Sequence, residues 1–217
     1  MAVNDACLIL VDVQNDFMPG GALAVPSGDE IVPVVNRVAR NFDWIVATQD
    51  WHPAGHASFA SAHPGKKAFE TVRLAYGEQV LWPDHCVQGT HGAAFHRDLA
   101  LEGAQLIVRK GYRREIDSYS AFVEADRKTS TGLAGWLREL GIRRLWFCGL
   151  ATDFCVLWSA LDARAAGFEA TVIEDACRAI DLDGSLAAAW EQLRAAGVAR
   201  AHSAQLFEVG GRHRRST

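Results

Sequence analysis

No apolar run in this chain approaches the roughly 18 residues that would signal a membrane span. Its start also lacks a basic segment leading into a signal-type apolar core. Neither a membrane nor a secreted location is expected, and the cytoplasm fits. Cysteine is sparse and odd in number. Five residues, at positions 7, 86, 148, 155 and 177 of 217, make no disulfide framework, and a chain of this length needs no such staples. Excess positive charge is missing too: a formal charge of -4 argues against a nucleic-acid partner or an anionic membrane surface. Repeats, low-complexity tracts and domain-type linkers are absent. What remains, 49% hydrophobic and 22% charged residues, suits one soluble domain with a substantial core. That domain is expected over residues 1–210, with a flexible basic tail at 211–217 that carries Arg212–Arg215.

Apolar runs rich in β-branched residues at Cys7–Val13, Trp44–Thr48, Gln105–Val108, Leu145–Cys148 and Ala170–Ile173, with a weaker one at Ala199–His202, read as buried strands. Helical patterns fall between them at Asp29–Asn41, Thr131–Leu140, Asp153–Ala166 and Ser185–Ala196, and Gly141, Gly167 and Gly197 suit helix ends. Such alternation predicts an α/β fold with a mostly parallel sheet and helices on both faces. Two long irregular stretches, about 50–92 and 110–129, concentrate His, Pro, Gly and aromatic residues. Long loops in a domain of this kind are usually functional.

The stretch Cys148-Gly-Leu-Ala-Thr-Asp-Phe-Cys155 carries an apolar strand through a glycine into a short turn, and so sets Cys155 at the start of a helix. Backbone N–H groups there lower a thiol's pKa and can receive an oxyanion. Ligands in open α/β sheets gather beyond the carboxyl ends of the strands. The ends of the other strands supply Asp12, which the pattern places within an apolar strand where a carboxylate needs a partner, and Lys110, a candidate for that partner. Each alone would read as a structural ion pair or an inert core cysteine. Together they suggest a nucleophile held between a proton acceptor and a cation.

A second cluster, Asp50-Trp51-His52 followed by His85, has the look of an open metal site with three N/O ligands, though loop hydrogen bonding would explain the same residues. His56 is a candidate fourth ligand or outer-shell group, and Cys86 a packing residue or a lone extra ligand. The other histidines, at 63, 91, 96, 202 and 213, read as surface or loop residues. Most tryptophans read as core, whereas Phe17, Trp82 and Tyr119 lie on irregular segments and would wall a small flat pocket.

The ordered blocks Leu10–Phe17, Thr48–Pro53, Trp82–Gly89, Lys110-Gly111, Asp117–Phe122 and Gly149–Val156 resemble the nicotinamidase branch of the isochorismatase-like cysteine hydrolases, over about Cys7 to Gln205. That resemblance implies a six-stranded parallel sheet and an Asp12, Lys110, Cys155 triad. It also implies one divalent metal (zinc, manganese or iron) on Asp50, His52 and His85. A cis peptide before Ala151 would turn the N–H groups of Ala151 and Cys155 toward a substrate oxygen. The implied activity is hydrolysis of nicotinamide to nicotinate and ammonia through a cysteine thioester, in NAD salvage. A related hydrolysis of another small amide is the alternative, and self-association through pooled exposed aromatics stays open.

Overall fold

Apolar runs become the strands of one parallel sheet because only a fully buried strand has use for side chains without polar atoms on both faces. The computed structural model describes residues 5–210; the expected tail at 211–217 lies outside the described residues. Strands β1 (Ala6–Val11) and β2 (Trp44–Asp50) are followed by a small hairpin, β3 (Thr71–Leu74) and β4 (Gly77–Val80), and then by β5 (Leu106–Lys110), β6 (Arg144–Leu150), β7 (Glu169–Arg178) and β8 (Ala199–Ala201). The helices are α1 (Val32–Ala39), α2 (Leu133–Glu139), α3 (Leu157–Ala165), α4 (Ser185–Ala195) and α5 (Ser203–Gly210). The main sheet has the order β5-β2-β1-β6-β7-β8 with every pairing parallel. All six residues of the central strand β1 are buried. Among the described residues no helix is long and apolar enough to cross a membrane.

From β1 the chain first builds outward through β2 to β5 and then returns to add β6, β7 and β8 on the other side. The reversal lies between β1 and β6, where an open parallel sheet leaves a crevice at its carboxyl ends. Gly149 makes the close approach there possible. It pairs with Val11, has φ of 124°, and a Cβ on it would sit 2.0 Å from the Val11 carbonyl oxygen. The pairing of β6 with β7 shifts register between Phe147 and Gly149, the mark of a bulge that re-aims the chain into the following turn.

Four sequence expectations need correction. The first strand stops at Val11 instead of Val13, because Asp12 adopts a left-handed φ of 47° and so lies just beyond the strand. Cys155 is not the first residue of an α-helix: Thr152–Val156 form a π-helical turn, and α3 starts after it. The helix expected from Asp29 begins as a 3-10 turn over Gly28–Ile31 and becomes α-helical at Val32, with Pro33 in its opening positions, where a missing N–H costs nothing. The stretch 50–92 is not wholly irregular, since it contains the β3–β4 hairpin.

Candidate active site

The segment after β1, Asp12-Val-Gln-Asn-Asp-Phe17, does its work through alternate residues. Asp12 is fully buried. The Thr48 hydroxyl donates to Asp12 Oδ1 at 2.6 Å and accepts the Asp12 backbone N–H at 3.1 Å, a two-point clamp that holds the left-handed backbone in place. Gln14 binds the last residue of β2 from both ends of its amide, donating to the Asp50 carbonyl at 2.8 Å and accepting from the Asp50 N–H at 2.7 Å. Asp16 accepts the Cys86 N–H at 2.7 Å and the Ala22 N–H at 3.2 Å.

Lys110 ends β5, two strands away from β1, a gap of roughly 10 Å at ordinary strand spacing. Its long stem crosses that gap beneath the end of β2. The ammonium lies 2.8 Å from Asp12 Oδ2 and 3.0 Å from Asp50 Oδ1, donates to the Ser118 carbonyl at 3.1 Å, and stands 3.5 Å from Cys155 Sγ. Three strand ends and the turn that carries Cys155 thus converge on one buried cation. The Asp12 carboxylate is shared between the Lys110 ammonium and the Cys155 thiol.

Burial would lower the Lys110 pKa, but the Asp12 and Asp50 carboxylates drive it well above the ordinary lysine value. Burial lifts the Asp12 carboxyl, against the pull of the Lys110 ammonium. Burial likewise pushes the Cys155 thiol well up, with Lys110 pulling it down and Asp12 pushing it up. Burial thus pushes both the thiol and the carboxyl toward their neutral forms, and the Lys110 ammonium opposes both shifts. The Leu150–Ala151 peptide is cis, as the resemblance implies. The Ala151 carbonyl accepts the N–H groups of Phe154 and Val156 at 3.1 Å each, which fixes the turn that carries Cys155. Asp153 anchors the same turn to the next loop by accepting the N–H groups of Ile180 and Asp181.

Asp50, His52 and His85 also come together, all buried. His52 Nδ1 faces the Gly111 carbonyl at 2.9 Å, and His85 Nδ1 faces the Pro83 carbonyl at 2.8 Å. A carbonyl only accepts, so both Nδ1 atoms carry hydrogens and both Nε2 atoms present lone pairs. Those Nε2 atoms lie 3.0 and 3.3 Å from the same atom, Asp50 Oδ2. Three acceptors aimed at one point, with their outer nitrogens already tied, fit a divalent cation. His56 does not belong to this set: its Nε2 faces the Arg113 and Ile116 carbonyls at 2.9 and 3.2 Å, and its Nδ1 meets the Ser58 hydroxyl at 2.7 Å. With both nitrogens engaged, it supports the loop by stacking on His52, ring centroids 4.3 Å apart. Cys86 is buried packing with a left-handed φ of 45°.

That backbone conformation makes Asp16 a positioning residue. Its carboxylate holds the peptide just after His85, and the Cys86 carbonyl in turn accepts the His52 N–H at 3.0 Å. Asp16→Asn would leave one oxygen for the two backbone donors Cys86 and Ala22, and is expected to weaken any divalent-cation binding at Asp50, His52 and His85, probed with zinc, by about 10- to 100-fold. Chelator competition reads the effect; an unchanged zinc affinity would contradict this role.

Phe17, Trp82 and Tyr119 line a cavity of about 340 Å³ together with Asp50, His52, His85, Ala151 and Cys155. All the site residues expected from sequence therefore border the cavity or, like Asp12 and Lys110, lie directly behind Cys155. Sequence reasoning missed Leu23, Asp117, Phe154 and Ile180, which complete its walls. Phe154 packs edge-on against Trp82 with ring centroids 4.9 Å apart. It was legible as the residue before Cys155, whereas Leu23 and Ile180 are single apolar residues in turns with no local signal.

Comparison with known proteins agrees with this geometry. Residues 6–205 match the isochorismatase domain. The chain is 58% identical over 204 residues to the nicotinamidase of Acinetobacter baylyi, covering 94% of this chain and 95% of that protein. It superposes with a TM-score of 0.93 on a nicotinamidase/pyrazinamidase structure from Acinetobacter baumanii, at 56% identity, over 95% of this chain and 100% of the other. A pyrazinamidase from Pyrococcus horikoshii in complex with zinc aligns with a TM-score of 0.74 at 39% identity, covering 91% and 99% of the two chains. With its sheet order, its converging strand ends and these matches, the chain belongs to the isochorismatase family.

Proposed function

We propose that this protein is a nicotinamidase, which hydrolyses nicotinamide to nicotinate and ammonia and so returns the pyridine ring to NAD synthesis. The observation that carries the reading is the placement of the Lys110 ammonium, 2.8 Å from Asp12 and 3.5 Å from Cys155 Sγ, at the edge of a cavity walled by aromatic rings. The relatives named for nicotinamide hydrolysis support the same substrate.

In this mechanism the ring lies among Phe17, Trp82 and Tyr119 with its carboxamide over Cys155. Asp12, whose carboxylate faces the Cys155 thiol, takes the thiol proton. The sulfur attacks the amide carbon, and the Lys110 ammonium balances the charge of the thiolate and of the Asp50 carboxylate while Asp12 is protonated. The oxyanion is received by the N–H groups of Ala151 and Cys155, each such donor being worth about 3 kcal/mol. Asp12 then passes its proton to the departing nitrogen, which leaves as ammonia. Asp12 next takes a proton from water as that water attacks the thioester; nicotinate is released and the thiol regains its hydrogen. A divalent cation on Asp50, His52 and His85 would supply a Lewis-acid position for the ring nitrogen.

Ammonia release from nicotinamide, with nicotinate identified by NMR, tests the assignment. Turnover on the order of 1–10³ s⁻¹ is expected of a working enzyme. Removal of metal should lower kcat/KM and addition of zinc or manganese should restore it. No ammonia from the metal-loaded protein would overturn the proposal.

A further inference from the structure

A second cavity of about 550 Å³ lies beside the catalytic one, bordered by Tyr76, Gln79, Val123, Arg127 and Trp158. Tyr119 is the residue that borders both. The hydroxyl of Tyr119 accepts the indole N–H of Trp82 and the amide N–H of Gln79, each at 3.0 Å. Trp82 belongs to the catalytic side and Gln79 to the other. Gln79, only 2% exposed, is itself fixed: its amide nitrogen lies 2.8 Å from Asp117 Oδ2, and its oxygen accepts the Tyr76 hydroxyl at 2.9 Å. The Tyr119 ring is thus a bolted partition, held at its hydroxyl from both chambers.

The catalytic chamber is the smaller and tighter of the two. The second chamber is larger, and its aromatic side chains, Tyr76 and Trp158, suit the flat face of another ring. Resting on the carboxamide-hydrolase reading of the site, we propose that Tyr119 determines substrate size: its ring restricts the enzyme to one-ring carboxamides, and the chamber behind it is a latent subsite for a second aromatic ring. The class it would take comprises fused or aryl-substituted pyridine carboxamides, hydrolysed by the same thioester route. The partition acts by volume; the hydrogen bonds only keep the ring in place.

The test compares wild type, Tyr119→Ala, Tyr119→Leu and Tyr119→Phe on nicotinamide, quinoline-3-carboxamide, 5-phenylnicotinamide and 6-phenylnicotinamide. In Tyr119→Ala and Tyr119→Leu the ratio of kcat/KM for at least one two-ring amide to that for nicotinamide should rise by roughly tenfold or more, the scale of discrimination that pocket volume supplies. Tyr119→Phe, which keeps the ring and loses the hydroxyl, should leave the ratio near the wild-type value. Adding Trp158→Ala to the opened variant should reduce the gain. An unchanged ratio for every two-ring amide overturns the inference, as does an equal gain in Tyr119→Phe. Titration calorimetry of the same compounds measures their admission independently of turnover. A wild type inactive on nicotinamide would therefore sink the activity assignment alone, whereas no tighter two-ring binding in the opened variants would sink the partition.

Discussion

Cys155→Ala is expected to lower ammonia release from nicotinamide by on the order of 10⁴-fold or more, the scale seen when the nucleophile of a catalytic triad is removed. No other thiol can take over. Cys7, Cys86, Cys148 and Cys177 are all buried away from the catalytic cavity. The fold should survive, because the substitution removes one sulfur from a residue that already borders open space, at a cost of about 1 kcal/mol. A variant that melts near the wild-type temperature and still binds nicotinamide, yet releases no ammonia, would isolate the covalent step. Turnover within tenfold of wild type would rule out the thioester.

Lys110→Met is expected to damage stability and chemistry together. The side chain is fully buried between two carboxylates, at 2.8 and 3.0 Å. Methionine fills the same volume without the charge, which leaves Asp12 and Asp50 facing each other in the interior. Breaking a buried ion pair from one side costs about 3–5 kcal/mol, or on the order of 10 °C in melting temperature for a chain of this size. Because the folded-state lysine value is raised, this stabilisation is fully present below the ordinary lysine pKa and fades only as pH climbs through the raised value. The chemical effect runs through the thiol. Lys110 lowers the Cys155 pKa, so its loss should shift the pH midpoint of alkylation at Cys155 upward, as read by mass spectrometry. An unchanged melting point and an unchanged alkylation profile would remove Lys110 from the site.

The sequence announced the sheet because buried parallel strands are continuous apolar runs, and the polar residues that interrupt such runs at their carboxyl ends stand out by contrast. Asp12, Asp50, Lys110 and Cys155 were legible for that reason. The hairpin was not. β3 and β4 have four residues each and are mostly half-exposed, so they lack the apolar signal of a core strand. Gln79, which bolts Tyr119, looks in sequence like any surface glutamine. Helix α5 also went unread, since it is short and follows the three-residue strand β8.

By itself, then, the order of apolar runs and strand-end polar groups determined the architecture, the candidate nucleophile Cys155 and the acceptors grouped around Asp50, because local polarity and spacing record which segments are buried and where polar groups are placed. Only the tertiary structure decided which side chains meet. The Lys110 stem reaches under β2, His56 turns its Nε2 to carbonyls 57 and 60 positions away, and Asp16 holds a peptide 70 positions away. Those contacts depend on strand order and loop closure, which no local pattern encodes, and they separate a candidate metal ligand such as His52 from the residues that support it.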